Sequence, residues 1–238
     1  MKRTAHIHIP RVAGRSIDRW ARSARRRVGF RYQRLYHPGN KGRYAVGAKW
    51  TPVFDPVVDW TYVGHSYVGD LMDGGIIDKE WLDNTFKFTF IRNTYSRLVS
   101  VFEFERTRNF RRRRGHWSNA LLLHFSDFIE HIVSGGDSKM RPEGAKLWPY
   151  MNCRQMGWLD RGIDFVGRMD RLDEDWEKVC DIVGLPYRKL PHSNAVSEKL
   201  DLRCRFANGW RDYYTPELVD KVTDYFHDEI ELGGFEFE

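Results

Sequence analysis

The loop at residues 10–16 combines fixed positive charge with a glycine, and this combination suits the binding of an anion. It lies within "AHIHIPRVAGRSIDRW", between a short alternating apolar run and the start of an amphipathic stretch. Gly14 lets the backbone approach a ligand, the amides of residues 13–16 can point inward, and Arg11 adds a permanent charge. The alternative is an ordinary strand-to-helix turn that carries two surface arginines.

This loop differs from the common nucleotide-binding loops. A nucleoside triphosphate loop requires GxxxxGKS or GxxxxGKT, and a dinucleotide loop requires GxGxxG. Neither pattern occurs here, and Arg11 stands where phosphate loops usually carry lysine. A phosphate-binding loop at this position is therefore of another kind, and a P-loop kinase is disfavoured.

The elements that must position this loop predict an α/β fold. Apolar runs predict strands, and apolar residues at helical spacing predict the helices between them. Their order indicates a three-layer, mostly parallel sheet flanked by helices, as one domain over residues 1–238. The predicted strands are 5–9, 59–65, 85–92 and 163–169; the predicted helices start at Ser16 as N-cap, cover 93–106, 118–133 and 171–183, and run from Thr215 as N-cap to about residue 232, with a basic loop at 107–117.

Composition limits the class of protein. The 238 residues carry a net charge of +6, with 41% hydrophobic and 15% aromatic residues, so we expect a globular protein with an anionic partner. No apolar run approaches the roughly 18 to 20 residues that span a bilayer, and no signal peptide pattern precedes the first strand. We therefore expect a soluble cytoplasmic protein. The three cysteines are far apart, which favours buried free thiols over a disulfide framework or a metal site: Cys153, Cys180 and Cys204.

The segment "HIHIPRVAGRSI" resembles the "hIPKTAGTS" loop of the carbohydrate sulfotransferases. This family includes the heparan-sulfate 2-O-sulfotransferases and their bacterial relatives, and its fold is P-loop-like. In the family the loop holds the 5′-phosphosulfate of PAPS (3′-phosphoadenosine 5′-phosphosulfate). The resemblance implies that the donor is bound by Arg11, Val12, Ala13, Gly14, Arg15 and Ser16.

A second segment, "FTFIRNTYSRLVSVFEF" at 88–104, resembles the 3′-phosphate motif of the same family. The motif pairs an arginine with a serine eight positions later, and these positions are Arg92 and Ser100 here. An arginine that ends a strand and a serine two turns into the next helix can meet one anion, since guanidinium and hydroxyl are both donors. The segments at 164–186 and 213–237 resemble scaffold parts of the family.

The resemblance also suggests a general base. The 2-O-sulfotransferase branch carries a catalytic histidine in an "HGH" turn, and His65 in "YVGHSYVGDL" matches the second of its histidines. Val63 stands where the first would be. Histidine suits the removal of a hydroxyl proton near pH 7. Asp59, Asp70 and Glu80 are alternative bases.

The chain departs from the family pattern at four positions. Arg11 replaces the loop lysine, Val12 and Arg15 replace threonines, and Thr94 replaces a proline. The resemblance predicts a metal-independent PAPS-dependent sulfotransferase that acts on a carbohydrate hydroxyl, with an acidic polysaccharide as one candidate acceptor. Arg11 would stabilise the departing phosphate. The alternatives are a PAP-binding relative with little catalysis and a nucleic-acid-binding protein that uses segments such as "GFRYQRLYH".

Overall fold

The computed structural model describes residues 1–35, 58–64, 66–112, 124–134, 154–159, 161–191 and 209–237. The chain forms two compact units. Unit 1 comprises Met1–Ile91 and Gln155–Ser193, and unit 2 comprises Arg92–Arg154 and Asn194–Glu238. The expectation of one domain over residues 1–238 stays a prediction.

Within the residues that the structure describes, unit 1 is built on a sheet of five parallel strands in the order β2-β3-β1-β4-β5. β1 lies in the centre, where His8 pairs with Gly64 of β3 and His6 pairs with Phe88 of β4. The predicted α/β class, with a parallel sheet and flanking helices, is confirmed. The strands are β1 (Thr4–His8), β2 (Tyr32–Leu35), β3 (Trp60–Gly64), β4 (Phe86–Ile91) and β5 (Phe165–Arg168).

The helices of the two units follow from apolar spacing and from capping residues. Thr215 caps its helix by accepting a hydrogen bond from the Leu218 amide, and Gly184 ends another helix in the left-handed conformation, both as predicted. In chain order the helices are α1 (Gly14–Val28), α2 (Val68–Asp73), α3 (Lys79–Asn84), α4 (Thr94–Arg112), α5 (Phe125–Val133), α6 (Leu172–Val183), α7 (Pro216–Tyr225) and α8 (His227–Gly233).

Three local predictions were wrong. Ser16 lies inside α1, whose N-cap is Ala13. α4 continues to Arg112 through part of the predicted basic loop. The last predicted helix is divided at Phe226, which ends α7 and precedes α8. The first half of the predicted helix at 118–133 and the end of the predicted basic loop lie outside the described residues.

One face of the sheet in unit 1 is covered by an aromatic core. Trp20 of α1 and Trp176 of α6 meet edge to face at 4.8 Å between ring centroids. Trp60 of β3 contacts Phe88 of β4 at 5.6 Å, and both rings are buried. These contacts fix α1 against the sheet, because edge-to-face rings combine large apolar burial with a preferred geometry.

The chain leaves β1 and β4 in opposite directions across the sheet. α1 leads from β1 to β2 on one side, whereas the connection after β4 leads to β5 on the other side. Such a reversal opens a crevice at the carboxyl ends of the two strands, where open α/β sheets bind their ligands. β1 ends at His8, so the loop that follows it in unit 1 is a candidate for a binding site.

Candidate active site

The loop after β1 has a strained backbone. Arg11 has φ of 68° and Ala13 has φ of 37°, and within the described ranges they are the two residues other than glycine with positive φ. A side chain with a Cβ adopts this left-handed conformation at a cost, and such residues cluster at binding sites. Consecutive turns of this kind direct backbone N–H groups into a concave surface that attracts anions.

The burial of Val12 and a backbone hydrogen bond of the same residue hold the loop in this conformation. Val12 is 2% exposed and its amide donates to the Ile9 carbonyl at 3.3 Å. The valine therefore anchors the loop in the core between the two left-handed residues. This gives a structural reason for an apolar residue at a position where the related family has threonine.

Gly14 is required by its neighbour in β1. A Cβ at this position would overlap the imidazole ring of His8, which is buried beneath the loop. The glycine thus lets the start of α1 approach the sheet closely. His8 itself also packs against Tyr62, with 5.4 Å between ring centroids.

The amino end of α1 is positive and carries no side-chain cap. Its first turn contains no acidic residue, and Ala13 makes no capping hydrogen bond through its side chain. Two of the amides predicted to point inward are engaged within the loop. The Gly14 amide donates to the Val12 carbonyl, and the Ser16 amide donates to the Ala13 carbonyl. Arg15 is exposed and the Ser16 side chain is buried. The helix dipole and the two loop arginines therefore provide the positive potential at this place.

A buried carboxylate that the sequence analysis did not single out anchors α1 to the edge strand β2. Asp18 is 5% exposed, forms an ion pair with Arg22 at 2.9 Å, and accepts hydrogen bonds from the Tyr32 hydroxyl and the Arg34 guanidinium. Burial, assisted by the Asp18 carboxylate, raises the pKa of Tyr32. The phenol therefore remains a donor, and the position of α1 relative to the sheet is fixed by these contacts.

Arg92 and Ser100 belong to unit 2, in which Arg92 precedes α4 and Ser100 lies within it. Arg92 Nε donates a hydrogen bond to Ser96 Oγ at 2.8 Å. Residues 92, 96 and 100 are spaced by four, so the three side chains start from one face of the helical path. Ser100 is 7% exposed and Ser96 is 7% exposed. Ser96 was not singled out from the sequence, although its spacing from Arg92 could have drawn attention to it.

Asn93 caps α4 and also contacts the end of the chain. Its Oδ1 accepts from the Ser96 amide at 3.2 Å, which is the geometry of an N-cap. Its Nδ2 donates to the Glu236 carbonyl at 2.8 Å. The residue beside Arg92 thus joins the start of α4 to the C-terminal residues.

Thr94, which replaces the proline of the related family, has a partner of its own. Its hydroxyl donates to Glu229 Oε1 at 2.9 Å, and the two residues are 0% and 1% exposed. A proline could not provide this donor, and a buried carboxylate without donors is costly. The substitution is therefore matched by a carboxylate in α8.

The candidate bases occupy different places. Asp59 precedes β3, and its carbonyl accepts from the amide of Thr4, the first residue of β1. Asp59 thus lies at the amino edge of the sheet, opposite to the loop. Glu80 lies in α3, before the amino end of β4, whereas Asp70 is exposed in α2 after β3. His65 lies outside the described residues.

Comparison with known proteins identifies the family. Residues 70–237 match the Sulfotransferase family. Since the match covers more than half of the chain, the chain belongs to the sulfotransferase family. The matched part includes Arg92 and Ser100, whereas the loop at 10–16 and His65 precede it. Comparisons with curated proteins and with solved structures give no match.

Membership of this family makes the chain a transferase for a sulfuryl group, with an acceptor as its second substrate. The family generally uses PAPS as sulfate donor. In the part of the chain that the structure describes, no helix is long and apolar enough to cross a membrane. The same ranges contain no group of three metal-ligating side chains. The closer resemblance to the heparan-sulfate 2-O-sulfotransferases stays a prediction.

Proposed function

We propose that this chain transfers the sulfuryl group of PAPS to a hydroxyl of a carbohydrate. The observation that carries the proposal is the left-handed turn at Arg11 and Ala13, which follows β1 of a chain in the sulfotransferase family. The turn comes where the chain reverses direction across the sheet, which is the usual place for a ligand in this class of fold.

The loop residues fit the 5′-phosphosulfate of the donor. The positive amino end of α1 and the two loop arginines suit a group with several anionic oxygens. PAPS supplies the sulfuryl group, and the 5′-phosphate of the nucleotide is the leaving group. Ser16 and the loop backbone hold the 5′-phosphate, while Arg11 stabilises the negative charge that develops on this phosphate. Arginine retains the charge of the family's lysine and presents it as a fork.

Arg92 and Ser100 bind the 3′-phosphate in this proposal. The support is their spacing of eight residues at the start of α4, the family match over this segment and the hydrogen bond that holds Arg92. His65 accepts the proton of the attacking hydroxyl, a role for which a neutral imidazole is suited near pH 7. Asp70 is the remaining alternative among the described carboxylates, because it follows β3 at the carboxyl edge.

Titration with PAP tests the donor site. We expect wild-type protein to bind PAP in calorimetry and Arg92→Ala to raise the Kd roughly tenfold to a hundredfold, the effect of losing a charged hydrogen bond. Arg188→Ala removes an exposed arginine of unit 1 and serves as the charge-matched control. Failure of the wild type to bind PAP, together with salt-dependent DNA binding that PAP does not displace, would favour the nucleic-acid alternative.

Labelled sulfate transfer to neutral and acidic polysaccharides tests the reaction. We expect transfer to at least one polysaccharide, and we expect His65→Ala to lower kcat about 100-fold to 10,000-fold without changing the Kd of PAP. If His65→Ala retains the wild-type rate, the assignment of His65 as the general base is wrong, and Asp70→Asn becomes the next variant. Binding of PAP without transfer to any member of the panel would favour the non-catalytic relative.

A further inference from the structure

The side chain of Arg92 is oriented by a directional chain of hydrogen bonds within unit 2. Ser96 Oγ donates to the Asn93 carbonyl at 3.0 Å, so its hydrogen is already engaged. The oxygen then presents a lone pair to Arg92 Nε, which donates to it at 2.8 Å. This bond sets the plane of the guanidinium, because Nε is part of that plane.

The chain of hydrogen bonds continues to the C-terminal residues. Asn93 Oδ1 accepts a hydrogen bond from the Ser96 amide. Asn93 Nδ2 donates a hydrogen bond to the Glu236 carbonyl at 2.8 Å. The four residues of this chain are Arg92 and Asn93, which precede α4, Ser96 in the first turn of α4, and Glu236 near the end of unit 2. The Glu236 backbone is thus the far end of a connection that begins at Arg92.

An aromatic cluster holds the last residues in place. The Phe237 ring lies 5.1 Å from Tyr95, 5.2 Å from Tyr214 and 5.4 Å from Trp210, measured between centroids. The Tyr214 hydroxyl also donates to the Tyr95 carbonyl at 2.9 Å. Because Tyr95 lies in the first turn of α4, the cluster fixes residues 236–237 relative to the start of that helix.

We propose that Ser96 and Asn93 are positioning residues that orient Arg92 toward the 3′-phosphate of the donor, and that the C-terminal residues secure them. This inference rests on the proposed function, in which Arg92 binds that phosphate. A guanidinium held in one plane loses less rotational freedom when it binds, so the network strengthens recognition of the 3′-phosphate specifically. The preference for a 3′-phosphorylated nucleotide then depends on residues that do not touch the ligand.

Two nucleotides separate this role from a structural one. PAP and adenosine 5′-phosphate differ in the 3′-phosphate. The Kd for adenosine 5′-phosphate divided by the Kd for PAP therefore measures recognition of that group, and this quotient is the ratio used below. We expect Ser96→Ala to reduce the ratio about tenfold through a higher Kd for PAP, with the Kd for adenosine 5′-phosphate unchanged. Ser96→Thr retains the hydroxyl and is expected to retain the ratio. Ser134→Ala, at the exposed end of α5, is the matched serine control.

A second variant tests the C-terminal connection. Removal of residues 236–238 eliminates the Glu236 carbonyl and the Phe237 ring, and we expect the ratio to fall as it does in Ser96→Ala. Thermal unfolding is measured on each variant, and the ratio is compared at a temperature at which the protein is folded. Ser96→Ala remains the decisive variant if the shortened chain does not fold.

The outcomes distinguish this inference from the proposed function. If Arg92→Ala loses the preference for PAP and Ser96→Ala keeps it, the positioning role is wrong and the donor site stands. If Ser96→Ala weakens both nucleotides equally, its role is merely structural and the inference is overturned. If Arg92→Ala keeps the wild-type ratio, the assignment of the 3′-phosphate fails and the inference fails with it.

Discussion

Buried ionisable residues of unit 1 are stabilised in different ways. Lys87 is 4% exposed, forms an ion pair with Asp164 at 2.9 Å and donates to the carbonyls of Leu82 and Thr85. His6 is 1% exposed and its Nδ1 has no hydrogen-bond partner among the described residues. It is stacked on Phe88 with 5.0 Å between centroids. Burial lowers the pKa of His6 to about 3, so the imidazole is neutral in the folded protein.

The low pKa of His6 predicts acid sensitivity. The folded state binds fewer protons here than the unfolded state between about pH 3 and the ordinary histidine pKa of 6.5. The contribution of His6 to stability is therefore present above pH 6.5 and is lost as the pH falls, by at most about 1.4 kcal/mol per pH unit. We expect His6→Leu to reduce the slope of unfolding free energy against pH between 6.5 and 4. His227→Leu, at an exposed histidine, is the control for the loss of an imidazole. Equal slopes for wild type and His6→Leu would contradict the prediction.

At the scale of elements, the long periodic segments could be predicted from the sequence. β4 was expected at 85–92 and lies at Phe86–Ile91, and α6 was expected at 171–183 and lies at Leu172–Val183. Both have strong apolar patterns and clear boundaries. β2 was missed because its four residues, YQRL, are mostly polar and belong to an edge strand. Such a strand is stabilised by pairing with β3, which no local pattern reveals.

The details of the candidate site depend on contacts between distant residues. The glycine and arginines of the loop could be found from the sequence, but the left-handed φ at Arg11 and Ala13 could not, because both residues normally avoid it. The proposed positioning of Arg92 likewise involves the bond from Asn93 to Glu236, which is distant in sequence. The sequence therefore predicts which residue types are available, and the packing determines how they are held.

The close approach of Gly14 to His8 predicts that a glycine-to-alanine substitution at this position destabilises the protein, the reverse of its usual effect in a helix. An alanine inside a helix is ordinarily favoured over glycine by up to about 1 kcal/mol. Here the added Cβ would overlap the His8 ring, so we expect Gly14→Ala to lower the free energy of unfolding by about 1–3 kcal/mol. In the His8→Ala background the same change should be neutral or stabilising, as measured by urea unfolding. Equal costs in both backgrounds would show that the ring does not set the requirement for glycine.

For the whole molecule, the two proposed phosphate contacts fall in different units. The loop at 10–16 belongs to unit 1, and Arg92 and Ser100 belong to unit 2. A ligand that binds the native state stabilises whatever part must be folded to bind it. PAP is therefore expected to stabilise both units, and a probe confined to unit 1 tests the loop independently of Arg92.

Cys180 in α6 provides that probe. It is 0% exposed, and burial together with Asp181 raises its pKa to about 12, so its thiol reacts only after unit 1 opens. Alkylation by iodoacetamide, followed by peptide mass spectrometry, reports this opening. At a PAP concentration 100 times the Kd we expect the rate to fall about 100-fold, equivalent to about 2.7 kcal/mol, and to fall less in Arg11→Ala at the same concentration. The rate at which iodoacetamide alkylates glutathione is the control for the reactivity of the reagent. An unchanged Cys180 rate, with PAP binding detected by calorimetry, would restrict the binding energy to unit 2 and refute the assignment of the loop at 10–16 to the 5′-phosphate.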